Sequence, residues 1–370
     1  MNFGVLDLFD WLKPMERGKW DLASSGVSGP GTWGELGIRL DDLPVTGGNF
    51  YGYPPLREFL ASKFQVDVSN VAITPGASMA NFAIMVLFLQ DGGDVALEHP
   101  VYRPFPAIAE AILERPPIYI QRRSSDNYRL EPDLLFTTDR SFKLIVTTNL
   151  HNPSGVFAPL QTFYDIAERA ASAGAWLLVD ETFLPFKDDW NWRTAAALHH
   201  RIIATGSLTK AWGLSGLRIG WVIADSKLIY RVQRLMDYMH VVQPPATEAA
   251  ALRILESPKG DEFLNSGRRR SKENLPVVTS ALEGLADIGW VAPDGGVVLF
   301  VHRPSGRPTQ QIVDRLLDEE DVLVQPGHFF GAPDGLRIGF APDADSVRES
   351  MARFRKVWAS ELGTNESNLL

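Results

Sequence analysis

One stretch of the chain concentrates residue types able to do chemistry: Ser207-Leu208-Thr209-Lys210-Ala211-Trp212-Gly213-Leu214-Ser215-Gly216-Leu217-Arg218-Ile219-Gly220-Trp221. A single lysine, Lys210, sits among hydroxyl, glycine and apolar residues, and Arg218 follows it eight positions later. Apolar surroundings disfavour a protonated amine, so such a lysine tends to lose its proton. A neutral lysine amine attacks carbonyls and forms Schiff bases. Arg218 is a permanent cation suited to a dianionic phosphate, and the hydroxyls of Ser207 and Thr209 add donors. The stretch therefore offers an amine to an aldehyde and a cup to a phosphate. Pyridoxal 5′-phosphate (PLP) carries both groups. The same residues also fit a plainer reading, a surface helix start with one lysine and one arginine.

These groups need elements to hold them. Ile202 to Gly206 reads as a short strand that delivers Lys210. Val71 to Thr74 reads as another; it runs into Pro75-Gly76-Ala77-Ser78, with an apolar helix expected from Met79. A strand, a turn of small residues and a helix N-terminus make an anion site from free backbone N–H groups, although many strand–helix turns look alike. Asp94 to Glu98 is a strand closed by His99-Pro100-Val101-Tyr102, where a tyrosine usually just packs. Leu144 to Asn149 has a buried-strand pattern and ends in His151-Asn152-Pro153-Ser154-Gly155, whose Pro and Gly fix a sharp turn. Trp176 to Glu181 puts Asp180 after four apolar residues at the C-terminal end of a strand, where ligands meet open α/β sheets. Strands also end in Asp simply to turn. Leu228 to Val242 and Ala246 to Glu256 read as helices. Beyond them, Val297–Val301, Val322–Gly327 and Leu336–Phe340 read as short strands around a helix at Gln310–Leu317. Arg337 then falls on an edge strand, where an arginine is more often a solvated charge.

The order of these motifs resembles a family. S-x-T-K followed by G-L-x-G-x-R-x-G resembles the lysine region of fold-type I PLP enzymes, the aspartate-aminotransferase superfamily that holds the class I/II aminotransferases. Tyr51-Gly52-Tyr53-Pro54-Pro55-Leu56-Arg57-Glu58 is similar to the family's entry into its first long helix. His151 to Gly155 is similar to its H-N-P-[TS]-G, and Leu336-Arg337-Ile338-Gly339 comes in the expected order after P-G-x-x-F. The resemblance runs from about Tyr51 to Phe340. It implies a large three-layer α/β/α domain with a mainly parallel sheet and a smaller α+β domain. The large, PLP-binding domain is expected over 45–257, and the small one over 258–370 together with 1–44.

The resemblance also implies roles. Lys210 holds PLP as a Schiff base and shuttles a proton in a 1,3-shift, which makes the expected function that of an amino-acid aminotransferase. Gly76, Ala77, Ser78, Ser207 and Arg218 bind the phosphate. Tyr102 stacks on the pyridine face, Asn152 bonds the phenolic oxygen, and Asp180 pairs with the ring nitrogen. Arg337 grips the substrate carboxylate, and Gly26 lies over the substrate. A homodimer is implied, in which Tyr51 is the candidate to reach the partner's phosphate. One position departs: three residues after Asp180 the family usually has a tyrosine, and this chain has Phe183. Asp10-Trp11-Leu12, Ser24-Ser25-Gly26-Val27, Thr32-Trp33-Gly34-Glu35-Leu36 and Thr46-Gly47-Gly48 resemble the capreomycidine synthase subgroup, PLP-dependent cyclases that also carry Phe at that place. A PLP-dependent lyase or cyclase is thus the alternative reading.

Composition narrows the classes. The chain has 370 residues, 45% of them hydrophobic and 22% charged, which suits a globular protein of one large and one smaller domain. A net charge of −9 without a basic block gives no nucleic-acid footprint. No apolar run approaches a membrane span, and Met1 to Asp7 lacks the pattern of a signal peptide. The absence of cysteine removes disulfides and thiolate metal sites and fits a cytoplasmic protein. No metal is expected: His199 and His200 are adjacent, so their side chains should diverge, and no partner spacing supports a site. Regulators of similar fold carry an added DNA-binding domain, for which the stretch before Gly26 is too short. Gly363 to Leu370 reads as a loose tail.

Overall fold

The computed structural model describes residues 1–13, 19–47, 49–136 and 140–361. Gly48 and the expected tail at Gly363 to Leu370 lie outside them. Twelve strands are present among the described residues: β1 (Trp20–Leu22), β2 (Val71–Thr74), β3 (Asp94–His99), β4 (Ile118–Gln121), β5 (Phe142–Thr148), β6 (Trp176–Asp180), β7 (Ile202–Ser207), β8 (Gly220–Ile223), β9 (Gly289–Trp290), β10 (Val298–His302), β11 (Val322–Pro326) and β12 (Gly335–Gly339).

Seven of these form one sheet in the order β2-β8-β7-β6-β5-β3-β4. Every pairing from β7 through β4 is parallel, and β8 runs antiparallel to both its neighbours. The strands are apolar on both sides because both sides are covered. Val95, Leu97, Leu144, Val146, Leu178 and Ile203 pack with the helices Ala77–Leu89, Pro104–Leu113 and Ser226–Met236. The alternate residues Ala96, Ile145, Leu177, Val179 and Ile202 face the helix Leu160–Ser172, whose Phe163, Ile166, Ala167 and Ala170 are fully buried. The period of two along each strand thus builds three layers, α/β/α. One consequence matters for chemistry: β2, β3, β5, β6 and β7 all end on the same edge of the sheet.

The second sheet has the order β1-β11-β12-β10-β9. β1 is parallel to β11, and the other pairings are antiparallel. Helices Pro258–Leu282, Gln310–Glu320 and Ala344–Glu361 cover one face through Ile312, Leu316, Val347, Phe354 and Trp358. Phe300 on the other face packs with Tyr128, Val156 and Phe330, which ties this sheet to the larger one.

Several elements differ from the sequence reading. The expected helix at Leu228–Val242 stops at Met236, because its buried positions Leu228, Ile229, Val232 and Met236 have no successor; Tyr238 lies in solvent and Val241 adopts φ +58°. The helix after the small-residue turn begins at Ala77 rather than Met79. The 25-residue helix Pro258–Leu282 has no counterpart in the sequence reading. Arg337 is not on an edge: β12 is the central strand of its sheet, and Arg337 is 2% exposed.

Candidate active site

The strand ends on the shared edge surround a cavity of about 980 Å³. Ala77, Ser78, Tyr102, Asn152, Asp180, Phe183, Ser207, Lys210 and Arg218 all line it. They come from segments far apart in sequence, which parallel strands bring to one edge. Lys210 follows β7, and its Nζ donates to Ser25 Oγ at 3.0 Å. The ring of Phe183 lies 5.9 Å from the same nitrogen.

Opposite the amine, Asp180 ends β6. Its Oδ2 accepts from Asn81 Nδ2 at 2.7 Å and its Oδ1 from the Thr182 backbone N–H at 2.9 Å. Asn81 is held in turn by Thr205, whose hydroxyl donates to Asn81 Oδ1 at 2.7 Å. Burial raises the Asp180 carboxyl above the ordinary range, opposed by the hydrogen bonds from Thr182 and Asn81. A raised carboxyl whose direct partners are neutral is ready for a cation, such as a protonated pyridine nitrogen.

The anion cup is built around Gly76 and Arg218. Gly76 adopts φ +83° at the N-terminus of helix Ala77–Leu89, and a Cβ there would stand 2.5 Å from Arg218 Nη2. Only glycine lets the guanidinium come so close to the turn. Arg218 donates to the carbonyls of Pro75 and Ser215 and otherwise faces solvent at the cavity mouth. Ser207 is buried and its Oγ accepts from the Thr209 N–H at 3.4 Å.

On the remaining side stands Arg337. Its Nη1 donates to Asn152 Oδ1 at 3.0 Å and its Nη2 to the Ala23 carbonyl at 2.9 Å, while Nε is buried without a partner. Burial lowers its pKa to about 10, with Tyr102 and Asp21 opposing. A buried guanidinium bonded to neutral acceptors is a site for a carboxylate. Burial pushes Tyr102 up to about 12; Arg337 pulls it down and Asp180 raises it, which sets Tyr102 between the two. Gly26 lies against Lys210: a Cβ on it would meet Lys210 Cδ at 2.9 Å, and the next N–H, from Val27, donates to the Lys210 carbonyl at 3.1 Å.

Gly26, Gly76 and Arg337 are not among the residues lining this cavity, although each lies against one that is. Tyr51, expected to serve a partner's site, stacks on the Arg234 guanidinium at 4.6 Å and is 41% exposed. One expectation fares differently. His199 and His200 do not diverge. Their rings lie 4.4 Å apart, because His199 turns to pair with Glu168 at 3.2 Å instead of pointing away. Ser25, Asn81 and Thr205 escaped the sequence reading. Asn81 had left a signal, as the one amide in a helix that is otherwise apolar after Ser78. Ser25 and Thr205 left none, since small hydroxyl residues are common near turns and strand ends.

A lysine amine and a raised carboxyl on one cavity, a glycine–arginine cup whose Arg218 lines it, and a buried arginine bonded to the lining Asn152 form a site that fits PLP and an amino acid together. They define a PLP-dependent enzyme on a three-layer α/β/α frame. The chain belongs to the aminotransferase class I and II family, whose model matches residues 46–354. It is a PLP-dependent aminotransferase, of a family that uses amino-acid and keto-acid substrates. It is 28% identical to the arginine–pyruvate transaminase of Pseudomonas aeruginosa, over 80% of this chain and 77% of the relative. It is 29% identical to the capreomycidine synthase of Streptomyces vinaceus, over 97% of this chain and 94% of that protein. Among solved structures, a PLP-dependent aminotransferase from Streptococcus suis shares the fold with a TM-score of 0.87 at 22% identity, covering 96% of this chain and 98% of that one.

Proposed function

We propose that Lys210 is the Schiff-base lysine and proton carrier of this aminotransferase, and that an amino acid with an arginine-like side chain is its donor. When bound, PLP supplies an aldehyde that joins the amino group and a ring that takes up the electrons left when the Cα–H bond breaks. Asp180 would hold a proton on the ring nitrogen, and Tyr102 would pack against the ring. Asn152 donates to the phenolic oxygen. Gly76, Ala77, Ser78, Ser207 and Arg218 hold the phosphate, with Arg218 matching its charge. Arg337 orients the substrate carboxylate, and Gly26 leaves room for the substrate beside Lys210. Lys210 Nζ would take the Cα proton and deliver it two atoms along, to the former aldehyde carbon, which is the 1,3-shift.

The observation that carries this reading is the common cavity onto which Lys210, Asp180, Asn152 and Arg218 open. The arginine-like donor is supported by the relative named for arginine and pyruvate. A second reading, cyclisation or elimination, is favoured by the alignment with capreomycidine synthase along nearly the whole chain and by Phe183 at the cavity wall. The division into 45–257 and 1–44 with 258–370 is part of the proposal, supported by one sheet falling within 71–223 and the other drawing its strands from 20–22 and 289–339. So is a cytoplasmic location: no helix among the described residues is long and apolar enough to cross a membrane.

The test is to load the protein with PLP and offer a panel of amino acids that includes arginine. Conversion to pyridoxamine phosphate by arginine, reversed by a 2-oxo acid, is the expected result. Consumption of the amino acid without pyridoxamine phosphate favours the second reading. Borohydride should fix the label on Lys210, and a label on another lysine overturns the site.

A further inference from the structure

Behind the cavity wall runs a chain of buried polar groups that the reaction described above does not use. Glu98 on β3 and Arg122 just beyond β4 form an enclosed ion pair, with Arg122 Nη1 donating to Glu98 Oε2 at 2.6 Å and side chains 0% and 1% exposed. Arg122 Nε donates to the Tyr128 carbonyl at 2.6 Å, which holds the guanidinium in place. The other oxygen of Glu98, Oε1, takes two hydrogen bonds from one residue, the backbone N–H and the hydroxyl of Thr148 at the end of β5, each at 2.6 Å. Two of these bonds come from groups that can only donate, the guanidinium and the N–H, so each carboxyl oxygen accepts; burial pushes the carboxyl pKa up, and Arg122 opposes that push. That settles the direction of the Thr148 hydroxyl. Its single hydrogen goes to Glu98, and its lone pair accepts the Asn152 backbone N–H at 2.9 Å. Asn152 Oδ1 then accepts from Arg337 Nη1.

From this unbroken line we propose that Glu98 and Thr148, anchored by Arg122, are positioning residues that aim Asn152. A buried ion pair is weak evidence for stability, but the hydrogen bonds made along this line fix one geometry, with only Arg122 Nη2 and Arg337 Nε left without partners in it. Here the fixed object is the turn after β5. Asn152 hangs from it with its oxygen toward Arg337, which leaves its amide N–H₂ to face the cofactor's phenolic oxygen. The proposal rests on the role given to Asn152 above.

Thr148→Val removes the hydroxyl and keeps the branched shape, whereas Thr148→Ser keeps the hydroxyl. Glu98→Gln keeps the size and removes the charge. Asn152→Ala is the reference. On the PLP-loaded proteins, two quantities are read: the pH midpoint of the visible absorption band, and KM against kcat for a reactive amino acid. Loss of a donor to an anionic phenolic oxygen raises that midpoint, so Asn152→Ala should move it up. Thr148→Val and Glu98→Gln should move it the same way, with KM raised about fivefold, the order of one lost hydrogen bond. Thr148→Ser should restore both. If Asn152→Ala moves the midpoint and Thr148→Val does not, the positioning role is wrong while the role of Asn152 stands. If Asn152→Ala moves neither quantity, the Asn152 assignment itself falls and takes the proposal with it. Should Thr148→Val fail to fold, Thr148→Ala carries the same two readouts.

Discussion

At the scale of single side chains, Ser25 and Phe183 frame the Lys210 amine, one with a hydroxyl at 3.0 Å and the other with a bare ring. The difference is chemical. A hydroxyl on the ring of residue 183 would reach toward the space beside Lys210, where the cofactor's phenolic oxygen is expected. Phe183→Tyr adds one oxygen to a ring that already lines the cavity. A donor to the phenolic oxygen stabilises its anionic form, so the pH midpoint of the visible band should fall, by about one unit for a charge-assisted hydrogen bond. Spectrophotometric titration of the two PLP-loaded proteins measures it. An unchanged midpoint means that the ring edge of residue 183 points elsewhere. In a cyclising enzyme the same substitution should also raise the yield of pyridoxamine phosphate per turnover.

At the scale of elements, the end of β6 carries two adjacent carboxyls with opposite tasks. Asp180 points into the cavity, and Glu181, by strand alternation, points away from it. Glu181 Oε1 accepts the N–H of Ala195 at 2.8 Å and pins the short helical turn Ala195–Ala197 to the sheet. Burial raises the Glu181 pKa to about 8, against the lowering effect of the Ala195 and Thr194 hydrogen bonds. The folded protein therefore holds this proton more tightly than the unfolded chain does. The resulting stability is fully present below the ordinary carboxyl pKa of about 4.5 and is lost as pH rises through about 8. Glu181→Gln imitates the protonated form and cannot lose it. Thermal melts between pH 5 and 8.5 should show the variant gaining on the wild type as pH rises. A constant difference across that range would mean that Glu181 does not titrate there.

At the scale of the whole molecule, Arg234 lies over both Tyr51 and Tyr230 and so joins two exposed tyrosines, with Phe50 next to Tyr51 in the chain and Tyr238 four residues past Arg234 also exposed. Such exposed apolar clusters mark interaction surfaces. The loop carrying Tyr51 is braced from behind, since the Tyr53 N–H donates to the buried Glu248 at 3.2 Å. A homodimer with these residues at its interface would let Tyr51 serve the partner's phosphate cup. Light scattering should give twice the chain mass. Tyr230→Glu together with Tyr238→Glu should shift the protein toward monomer and weaken PLP binding roughly tenfold, the order of one lost hydrogen bond to a charged group. A monomer that binds PLP as tightly as the wild type does would remove the idea.

The strand frame was legible in local patterns, and the family resemblance supplied the expected chemistry. Lys210, Asp180, Asn152 and Gly76 stand at strand ends that local apolar runs announce, and those runs are strong signals because both faces of the sheet are covered. The three-layer architecture follows from the same alternation of strand and helix. The contacts between distant segments were not legible there. Local pattern placed Arg337 on an edge strand and the resemblance alone gave it a carboxylate to hold; its burial depends on β10 and β11 closing on both sides of β12, which no local pattern encodes. Ser25 meets Lys210 across 185 positions of sequence, and Asn81 meets Asp180 across 99. The helix Pro258–Leu282 escaped for a related reason: beside Leu264, Val278 and Leu282, its buried residues Gly260, Gly267, Ser271 and Asn274 are small or polar. Their burial comes from close backbone approach and bonds to distant carbonyls. Ser271 donates to Gly296, and Asn274 donates to Phe340 and Pro342. Hydrophobic period reports burial by apolar contact, and it is silent where a polar side chain is buried by its partner.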